Sequence, residues 1–273
     1  DRISRGQGIE VNSGCITVGD KRMCYPSWYG APTDDGGTQS ARLSARRPAV
    51  QTWTKELRSM MVPTSGALYH MDMTAFELRI AAALSRDRRM YDFAFQADPY
   101  YTLPTKRDLS KTALLVGVNG GGPDKAWRTA IATTAKFIDK HEVESLPVFT
   151  DWTDYRNTRR MWHEAGVKGD LRLDHAEIAY MHNPAKTMHD TTSFMVQGHA
   201  AVFMSMLQAN MSLLLSDCNM SLQLHDELVF ETSEPTEWVR NKIQRCIYDV
   251  CDQMFGQDVP FTFKLAGPYT AGA

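Results

Sequence analysis

The sequence predicts an α+β fold, and three observations lead to it. A strand is predicted at 68–72, a β-hairpin is predicted at 222–231, and the long stretch between them is mainly helical. Strands and helices are therefore segregated along the chain, whereas an α/β domain would alternate them. The composition of the 273 residues, 43% apolar and 23% charged, is that of a globular protein and excludes disorder as the main state.

The N-terminal half is predicted to form short strands, then one longer strand and two helices. The first forty residues are rich in glycine, serine and threonine, which favours strands joined by turns. Residues 75–84 are mostly good helix formers, so a helix is predicted directly after the strand at 68–72. Residues 107–118 are predicted as a second helix, which the glycine run at 120–122 ends.

The C-terminal half is predicted to place long helices on either side of the hairpin. Residues 123–180 are polar and mainly helical, and residues 197–215 form a long helix rich in methionine. The hairpin alternates apolar and polar residues around a His-Asp-Glu tip. A final helix is predicted from the Ser-Glu-Pro sequence at 233–235 to about residue 254, and a strand follows at about 261–265.

Charge and cysteine content exclude several classes of protein. Thirty basic and 32 acidic residues give a net charge of −2, which excludes a wholly basic nucleic-acid binder but leaves local basic patches open. No apolar run reaches the roughly 18–20 residues of a membrane-spanning helix, so no membrane partner is expected. Five cysteines without a CxxC pair indicate free thiols in a reducing, intracellular compartment, either cytoplasm or nucleoid, with an organelle or an infected host cell left open.

Two acidic positions point to a metal site. Asp72 ends an apolar strand, and Asp226 lies at the hairpin tip with Glu227 beside it. Two carboxylates brought together repel each other and become stable when divalent cations lie between them, and Mg²⁺ favours one or two carboxylates plus substrate phosphates. The alternative is structural: Asp72 would cap a helix that begins near Thr74, and Asp226 would be an ordinary turn residue.

A basic helix face accompanies these acids. Arg107 and Lys111 are four residues apart, so their side chains project from the same face of the predicted helix. Two cations near an acidic pair form a suitable place to hold a triphosphate. The alternative interpretation is a solvated basic face with no ligand.

Five segments occur in an order that is typical of one enzyme family. They are residues 40–51 (SARLSARRPAVQ), 72–79 (DMTAFELR), 107–120 (Arg and Lys four apart, then Asn-Gly), 195–201 (MVQGHAA) and 225–231 (HDELVFE). They resemble the segments TGRLSSxxPNLQ, DYSQIELR (motif A), RxxxKxxxFGxxYG (motif B), MQGTAAD and HDELVFE (motif C) of the family A DNA polymerases, which include bacterial DNA polymerase I. The chain therefore resembles this family over residues 38–231.

The resemblance implies a fold, an activity and partners. The fold would be a polymerase palm, an antiparallel sheet backed by helices, with a helical fingers subdomain and no evident thumb or exonuclease. Residues 1–75 and 188–273 would form the palm and residues 76–187 the fingers. The activity would be template-directed addition of dNTPs to a primer 3′-hydroxyl on primer–template DNA. The chain would be the catalytic half of a larger or split polymerase, with a second polypeptide or a missing segment supplying thumb and exonuclease.

The resemblance also assigns the chemistry. Asp72 and Asp226, with the Met73 carbonyl oxygen, would bind two Mg²⁺ ions, for which Mn²⁺ could substitute. These ions would activate the primer 3′-hydroxyl and neutralise the triphosphate and the leaving pyrophosphate. Arg107 and Lys111 would bind the incoming phosphates, and Lys111 would also protonate the leaving group.

Three further residues would contact the incoming nucleotide. Glu77 would be the steric gate that excludes a ribose 2′-hydroxyl. Leu115 stands where the family has Phe or Tyr against the sugar, and it can neither stack nor hydrogen-bond there. Asn119 replaces a Tyr near the templating base, and it could donate a hydrogen bond to Glu77.

The primer side of the site would be formed by four residues. Arg42 and Gln197 would reach the minor groove at the primer end, where acceptors common to all base pairs allow recognition without sequence. His225 and Glu227 would position the primer terminus.

Two other functions remain open from the sequence. A single-subunit RNA polymerase shares the motif layout, but it would not carry Glu77, and its motif C reads His-Asp-Ser. An inactive polymerase relic that acts as a replisome scaffold would not need Asp72, Lys111 and Asp226, all of which are present.

Overall fold

The fold is known for most of the chain. The computed structural model describes residues 15–18, 21–24, 27–29, 42–46, 49–103, 106–173, 185–256 and 259–270. The predicted strands near the N-terminus are present as two short antiparallel pairs, β1 with β2 and β3 with β4, and the rest of the first forty residues lies outside the described part. Their bounds are Cys15–Val18 (β1), Lys21–Cys24 (β2), Ser27–Tyr29 (β3) and Ser44–Arg46 (β4).

The largest sheet of the described part is four-stranded and antiparallel, with the strand order β6-β7-β5-β8. Its strands are Ala67–Met73 (β5), Asn219–Leu224 (β6), Glu227–Thr232 (β7) and Phe263–Tyr269 (β8). The predicted strand and hairpin are confirmed, and the last strand begins two residues later than expected. Asp72 in β5 lies opposite Glu227 in β7 and opposite Lys264 in β8.

The described part of the chain also contains ten α-helices. They are Lys55–Arg58 (α1), Phe76–Ser85 (α2), Arg88–Ala94 (α3), Arg107–Val118 (α4), Pro123–Thr134 (α5), Lys140–Glu144 (α6), Pro147–Thr150 (α7), Thr153–Lys168 (α8), Met188–Leu214 (α9) and Thr236–Phe255 (α10). Short 3₁₀ turns lie at Val50–Thr52 and Pro99–Thr102.

Helix α9 begins nine residues before the predicted position. The Thr187 side chain accepts a hydrogen bond from the Asp190 N–H, and the Asp190 carboxylate accepts one from the Thr187 N–H. This reciprocal capping box satisfies backbone donors that the first helical turn would otherwise leave unpaired. The cap therefore fixes the start of α9 at Met188, ahead of the methionine-rich segment.

The two faces of the sheet have different partners because side chains alternate along a strand. Tyr69, Met71 and Met73 of β5 are buried in the main core, which also contains apolar residues of α9 and α10. Leu68 lies in a smaller apolar cluster with residues near β4 and in β6 and β7. Asp72 has the same parity as Leu68, so its side chain lies on the face opposite the main core.

None of the helices in the described ranges is long and apolar enough to cross a membrane. Three cysteines within those ranges, Cys218, Cys246 and Cys251, are free thiols, as predicted. The side chains of the other two cysteines are outside the described part.

Arg79 joins the helical part of the molecule to the end of the sheet. Its side chain is only 1% exposed and donates to the carbonyl oxygens of Ala94 (3.1 Å) and Gln96 (3.1 Å) and to the Thr262 hydroxyl (2.6 Å). A buried guanidinium is tolerated only when its donors are satisfied. Arg79 therefore ties α2 to the end of α3 and to the segment before β8.

We expect Arg79→Met to lower the free energy of unfolding by about 2–4 kcal/mol, because three acceptors would lose a buried donor. Arg88→Met is the matched control, since the Arg88 side chain is 87% exposed and its ion pair with Asp92 is at the surface. The control should change stability by less than about 0.5 kcal/mol. Denaturant unfolding of both variants measures the difference, and an equal loss in the two would contradict the role given to Arg79.

Candidate active site

A cavity of about 550 Å³ lies where the carboxyl end of β5 meets the β6–β7 turn, the start of α2 and the exposed side of α4. Nine of the twelve residues predicted for the site line this cavity, although they come from distant parts of the chain. They are Arg42, Asp72, Met73, Glu77, Arg107, Lys111, Leu115, His225 and Asp226.

The sheet brings Asp72 and Asp226 together. Asp72 is next to last in β5, and Asp226 lies in the turn between β6 and β7. The Met73 N–H donates to the Asp226 carbonyl oxygen (3.1 Å), which fixes the turn against the end of β5. The alternative role for Asp72 as a helix cap is wrong, because the residue that precedes α2 is Ala75 and no side chain caps that helix.

The position of Asp226 in the cavity shifts the pKa of its carboxyl group. Its pKa is raised from the ordinary value of 3.8 to about 6, chiefly by burial and then by the nearby charges of Asp72 and Glu77. Lys111 acts in the opposite direction and offsets only part of this effect. The charge of Asp226 is therefore costly without a compensating cation.

This donor set fits Mg²⁺ bound together with a substrate. Within the described ranges, no three side chains of His, Cys, Asp or Glu form a cluster that could hold a metal by itself. Mg²⁺ is commonly held by one or two carboxylates plus substrate phosphates, and it prefers oxygen ligands. Two adjacent carboxylates beside a cationic cavity wall therefore suit a cation that arrives with a phosphate ligand.

The cationic wall is formed by the first half of α4. The Arg107 guanidinium pairs with the Asp98 carboxylate (2.9 Å) and lies 5.6 Å and 5.5 Å from the ring centres of Tyr100 and Tyr101. The Lys111 ammonium lies 5.6 Å from the Tyr100 ring centre. Both cations line the cavity, so the basic face of α4 borders the same space as Asp72 and Asp226.

Glu77 is held from two sides. Its Oε1 forms an ion pair with the Arg42 guanidinium, and its Oε2 accepts a hydrogen bond from the Asn119 amide (3.3 Å). The hydrogen bond between Asn119 and Glu77 that the sequence allowed is therefore present. Asn119 does not itself line the cavity, but it contacts Glu77, which does. Leu115, one turn earlier on α4, does line the cavity.

His225 is in the cavity, but two other predicted primer-side residues are not. His225 has a positive φ of 54°, and burial, followed by the charge of Arg42, lowers the pKa of its imidazole. Glu227 instead pairs with His70 and with the Arg58 guanidinium (3.4 Å). Gln197 lies half-buried on α9, away from the cavity wall.

The structure adds three residues that the sequence analysis missed. Asp98 and Tyr100 line the cavity from the 3₁₀ turn before α4, and Lys264 lines it from β8, opposite Asp72. The Asp-Pro-Tyr-Tyr sequence shortly before Arg107 was a usable signal for the first two, since Asp and Pro favour the start of a turn. Nothing in the local sequence of Lys264 indicates its position, which depends on the order of the strands.

Comparison with known proteins supports a polymerase fold. No protein-family model matches the chain. The DNA polymerase I of Synechocystis sp. is 24% identical over 278 aligned positions, which cover 84% of this chain and 27% of that protein. The solved structure of the POL domain of Pol1 from M. smegmatis, in complex with DNA primer-template and dNTP, superposes with a TM-score of 0.63 at 20% identity and covers 90% of this chain.

The chain shares the fold of this POL domain. The α+β class predicted from the sequence and the resemblance to the family A DNA polymerases are both confirmed. The chain spans about a quarter of the length of the Synechocystis polymerase and about half of the M. smegmatis chain.

The raised pKa of Asp226 predicts a gain of stability when its charge is removed. Between pH 3.8 and about 6 the folded state holds a proton that the unfolded state has lost, so stability falls as pH rises through this range. At pH 8 in a chelator, Asp226→Asn should therefore raise the free energy of unfolding by roughly 2–3 kcal/mol. The gain should shrink toward pH 4, where the wild-type carboxyl is neutral in the folded state and partly protonated in the unfolded state.

Thermal unfolding at the two pH values measures this effect. Asp92→Asn is the control, because its side chain is 58% exposed on α3. A loss of stability in Asp226→Asn at pH 8, relative to wild type and to this control, would contradict the assigned electrostatics.

Proposed function

We propose that the protein is a template-directed DNA polymerase that adds dNTPs to a primer 3′-hydroxyl, as the catalytic half of a larger or split polymerase. The observation that carries this proposal is that Asp72, Asp226, Arg107 and Lys111 line the same cavity. A carboxylate pair beside a pair of cations provides both requirements of nucleotidyl transfer: places for divalent cations and a binding wall for the triphosphate.

In this proposal, Asp72 and Asp226 hold two Mg²⁺ ions, or Mn²⁺, with help from the Met73 carbonyl oxygen. When bound, the cations lower the pKa of the primer 3′-hydroxyl and neutralise the triphosphate. The chain's own contribution is to hold the two carboxylates side by side through the β5 end and the β6–β7 turn. Their position on the face of the sheet away from the main core leaves them open to substrate.

Arg107 and Lys111 bind the phosphates of the incoming nucleotide. Arg107 is pre-oriented by Asp98 and by the rings of Tyr100 and Tyr101, so less side-chain entropy is lost when it binds. Lys111 is exposed at the cavity wall and carries the proton that its ammonium would give to the departing pyrophosphate.

The primer and template lie, in this proposal, against the opposite side of the cavity. Arg42 and His225 line that side directly. Gln197 contacts DNA from α9 outside the cavity, and Glu227 acts on the primer terminus indirectly, by fixing the hairpin through His70 and Arg58. Lys264 adds a cation beside Asp72 that suits a phosphate of the primer strand.

The organisation follows the same division. Residues 1–75 and 188–273 form the palm and residues 76–187 the fingers, while a second polypeptide or a further segment supplies thumb and exonuclease.

The site of action is an intracellular, reducing compartment, in keeping with the three free thiols of the described part. A single-subunit RNA polymerase is the second candidate, and Glu77 at the cavity wall argues against it because its side chain occupies space that a 2′-hydroxyl needs.

The metal assignment predicts the loss of primer extension in Asp72→Asn. Removing a ligand of a two-metal centre should slow extension by roughly three or more decades. Asp92→Asn, an exposed aspartate on α3, should retain normal extension. A primer-extension assay in Mg²⁺, with a chelator as a blank, measures both, and near-normal kcat in Asp72→Asn would show that the metal assignment is wrong.

The gate assignment predicts a change of sugar selectivity in Glu77→Ala. Removing this side chain should raise ribonucleotide incorporation at least roughly tenfold, because the bulky carboxylate that leaves a 2′-hydroxyl badly paired would be absent. Single-nucleotide insertion of dNTP and rNTP measures the ratio. An unchanged ratio would place the gate elsewhere and favour the RNA polymerase alternative.

A further inference from the structure

The contacts around Asn119 extend from Glu77 to helix α9. The Asn119 amide nitrogen donates to Glu77 and to the Leu115 carbonyl oxygen (3.0 Å), which fixes the plane of the amide. The remaining amide oxygen faces the Ser193 hydroxyl at 3.5 Å. The Asn119 backbone carbonyl oxygen accepts a hydrogen bond from the His189 Nδ1. Both Ser193 and His189 belong to the first turns of α9.

The end of α4 is also held close to α9 by backbone geometry. Gly120 has a φ of +89°, and a Cβ at this position would lie 3.0 Å from the His189 Cα and from the Met188 carbonyl oxygen. A side chain at residue 120 would therefore be strained at this positive φ, and the neighbouring backbone would have to move by a few tenths of an ångström. The end of α4 and the start of α9 are thus in close backbone contact.

Helix α8 holds the same end of α4. The Arg159 guanidinium donates to the Gly117 carbonyl oxygen (3.0 Å), and the buried Tyr155 hydroxyl donates to the Val118 carbonyl oxygen. The last carbonyls of a helix have no partners within the helix, so the Tyr155 hydroxyl supplies a donor to Val118. The Gly117 carbonyl oxygen also accepts from the Gly120 N–H (3.0 Å), and Arg159 adds a second donor to it. The position of Asn119 is thus determined by α8 and α9 together.

From these contacts we infer that His189 and Ser193 are positioning residues for sugar selection, which act through Asn119 on the carboxylate of Glu77. The inference rests on the proposed function and adds residues that do not line the cavity. Glu77 excludes a 2′-hydroxyl only if its carboxylate stays in one place. Arg42 restrains one oxygen and Asn119 the other, so loosening Asn119 allows the carboxylate to turn toward Arg42 and to vacate part of the sugar-binding space.

The experiment measures kcat and KM for a dNTP and for the matching rNTP with the full chain on a primer–template. In His189→Ala, the preference for the dNTP should fall about fivefold, because one hydrogen bond that fixes the network is lost. The change should appear mainly as a lower KM for the rNTP. His189→Asn should restore most of the preference, since an asparagine amide can place a donor where the histidine Nδ1 stood.

The matched control is His141→Ala. This histidine is 92% exposed on α6 and pairs with Glu144, so its removal should leave the preference unchanged. An equal loss of kcat/KM for dNTP and rNTP in His189→Ala would contradict the inference, and it would indicate that His189 contacts DNA directly. An unchanged preference in a variant that extends primers normally would also contradict it.

A second measurement does not depend on activity. In a double-mutant cycle on the free energy of unfolding, His189→Ala and Glu77→Ala should be non-additive, because the two side chains communicate through Asn119 although neither directly contacts the other in the hydrogen-bond network. Additivity within error would overturn the inference. A wild-type protein that fails to extend primers would overturn the proposed function alone, and the cycle would still decide between coupling and independence.

Discussion

The site depends on the junction between the end of β5 and the β6–β7 turn. One backbone hydrogen bond, from Met73 to the Asp226 carbonyl oxygen, closes this junction, and the strand pairing that places Asp72 opposite Glu227 aligns it. The result is two carboxylates side by side at a partly desolvated position. Like charges in such a position destabilise the fold until a cation joins them. The raised pKa of Asp226 is therefore a consequence of building the site, and the large apolar core beneath β5 compensates for it.

Helix α4 is held very differently at its two ends, and this difference matches the role that the proposed function gives to each end. Its carboxyl end is bonded to α8 and α9 through Tyr155, Arg159 and His189. Its amino end carries Arg107, which Asp98 and two tyrosine rings orient, and Lys111, an exposed long side chain that can follow a flexible triphosphate. Excluding a single hydroxyl group requires a side chain fixed to a fraction of an ångström, whereas attracting phosphates requires charge more than precision.

Local sequence patterns predicted much of this site, and long-range pairing determined the rest. The hairpin tip with Asp226 and the helix with Arg107 were predictable, because turn and helix signals act over a few residues. The predicted start of α9 at residue 197 is wrong, because the capping box of Thr187 and Asp190 starts the helix at Met188. Lys264 could not have been found, since it meets Asp72 only through the order of strands β7, β5 and β8.

The pairing of Arg42 with Glu77 gives Asn119 a larger role once DNA is present. In the proposed function Arg42 binds the primer end in the minor groove, and a guanidinium that donates to base acceptors has fewer donors left for a carboxylate. Glu77 would then keep its hydrogen bond from the Asn119 amide. A hydrogen bond from a neutral amide to a carboxylate is weaker than an ion pair. In this proposal, the position of Glu77 would then depend on the fixed position of Asn119 when the sugar is selected. In the proposed function, the anchoring of α4 by α8 and α9, remote from the reacting atoms, would therefore contribute to sugar selection.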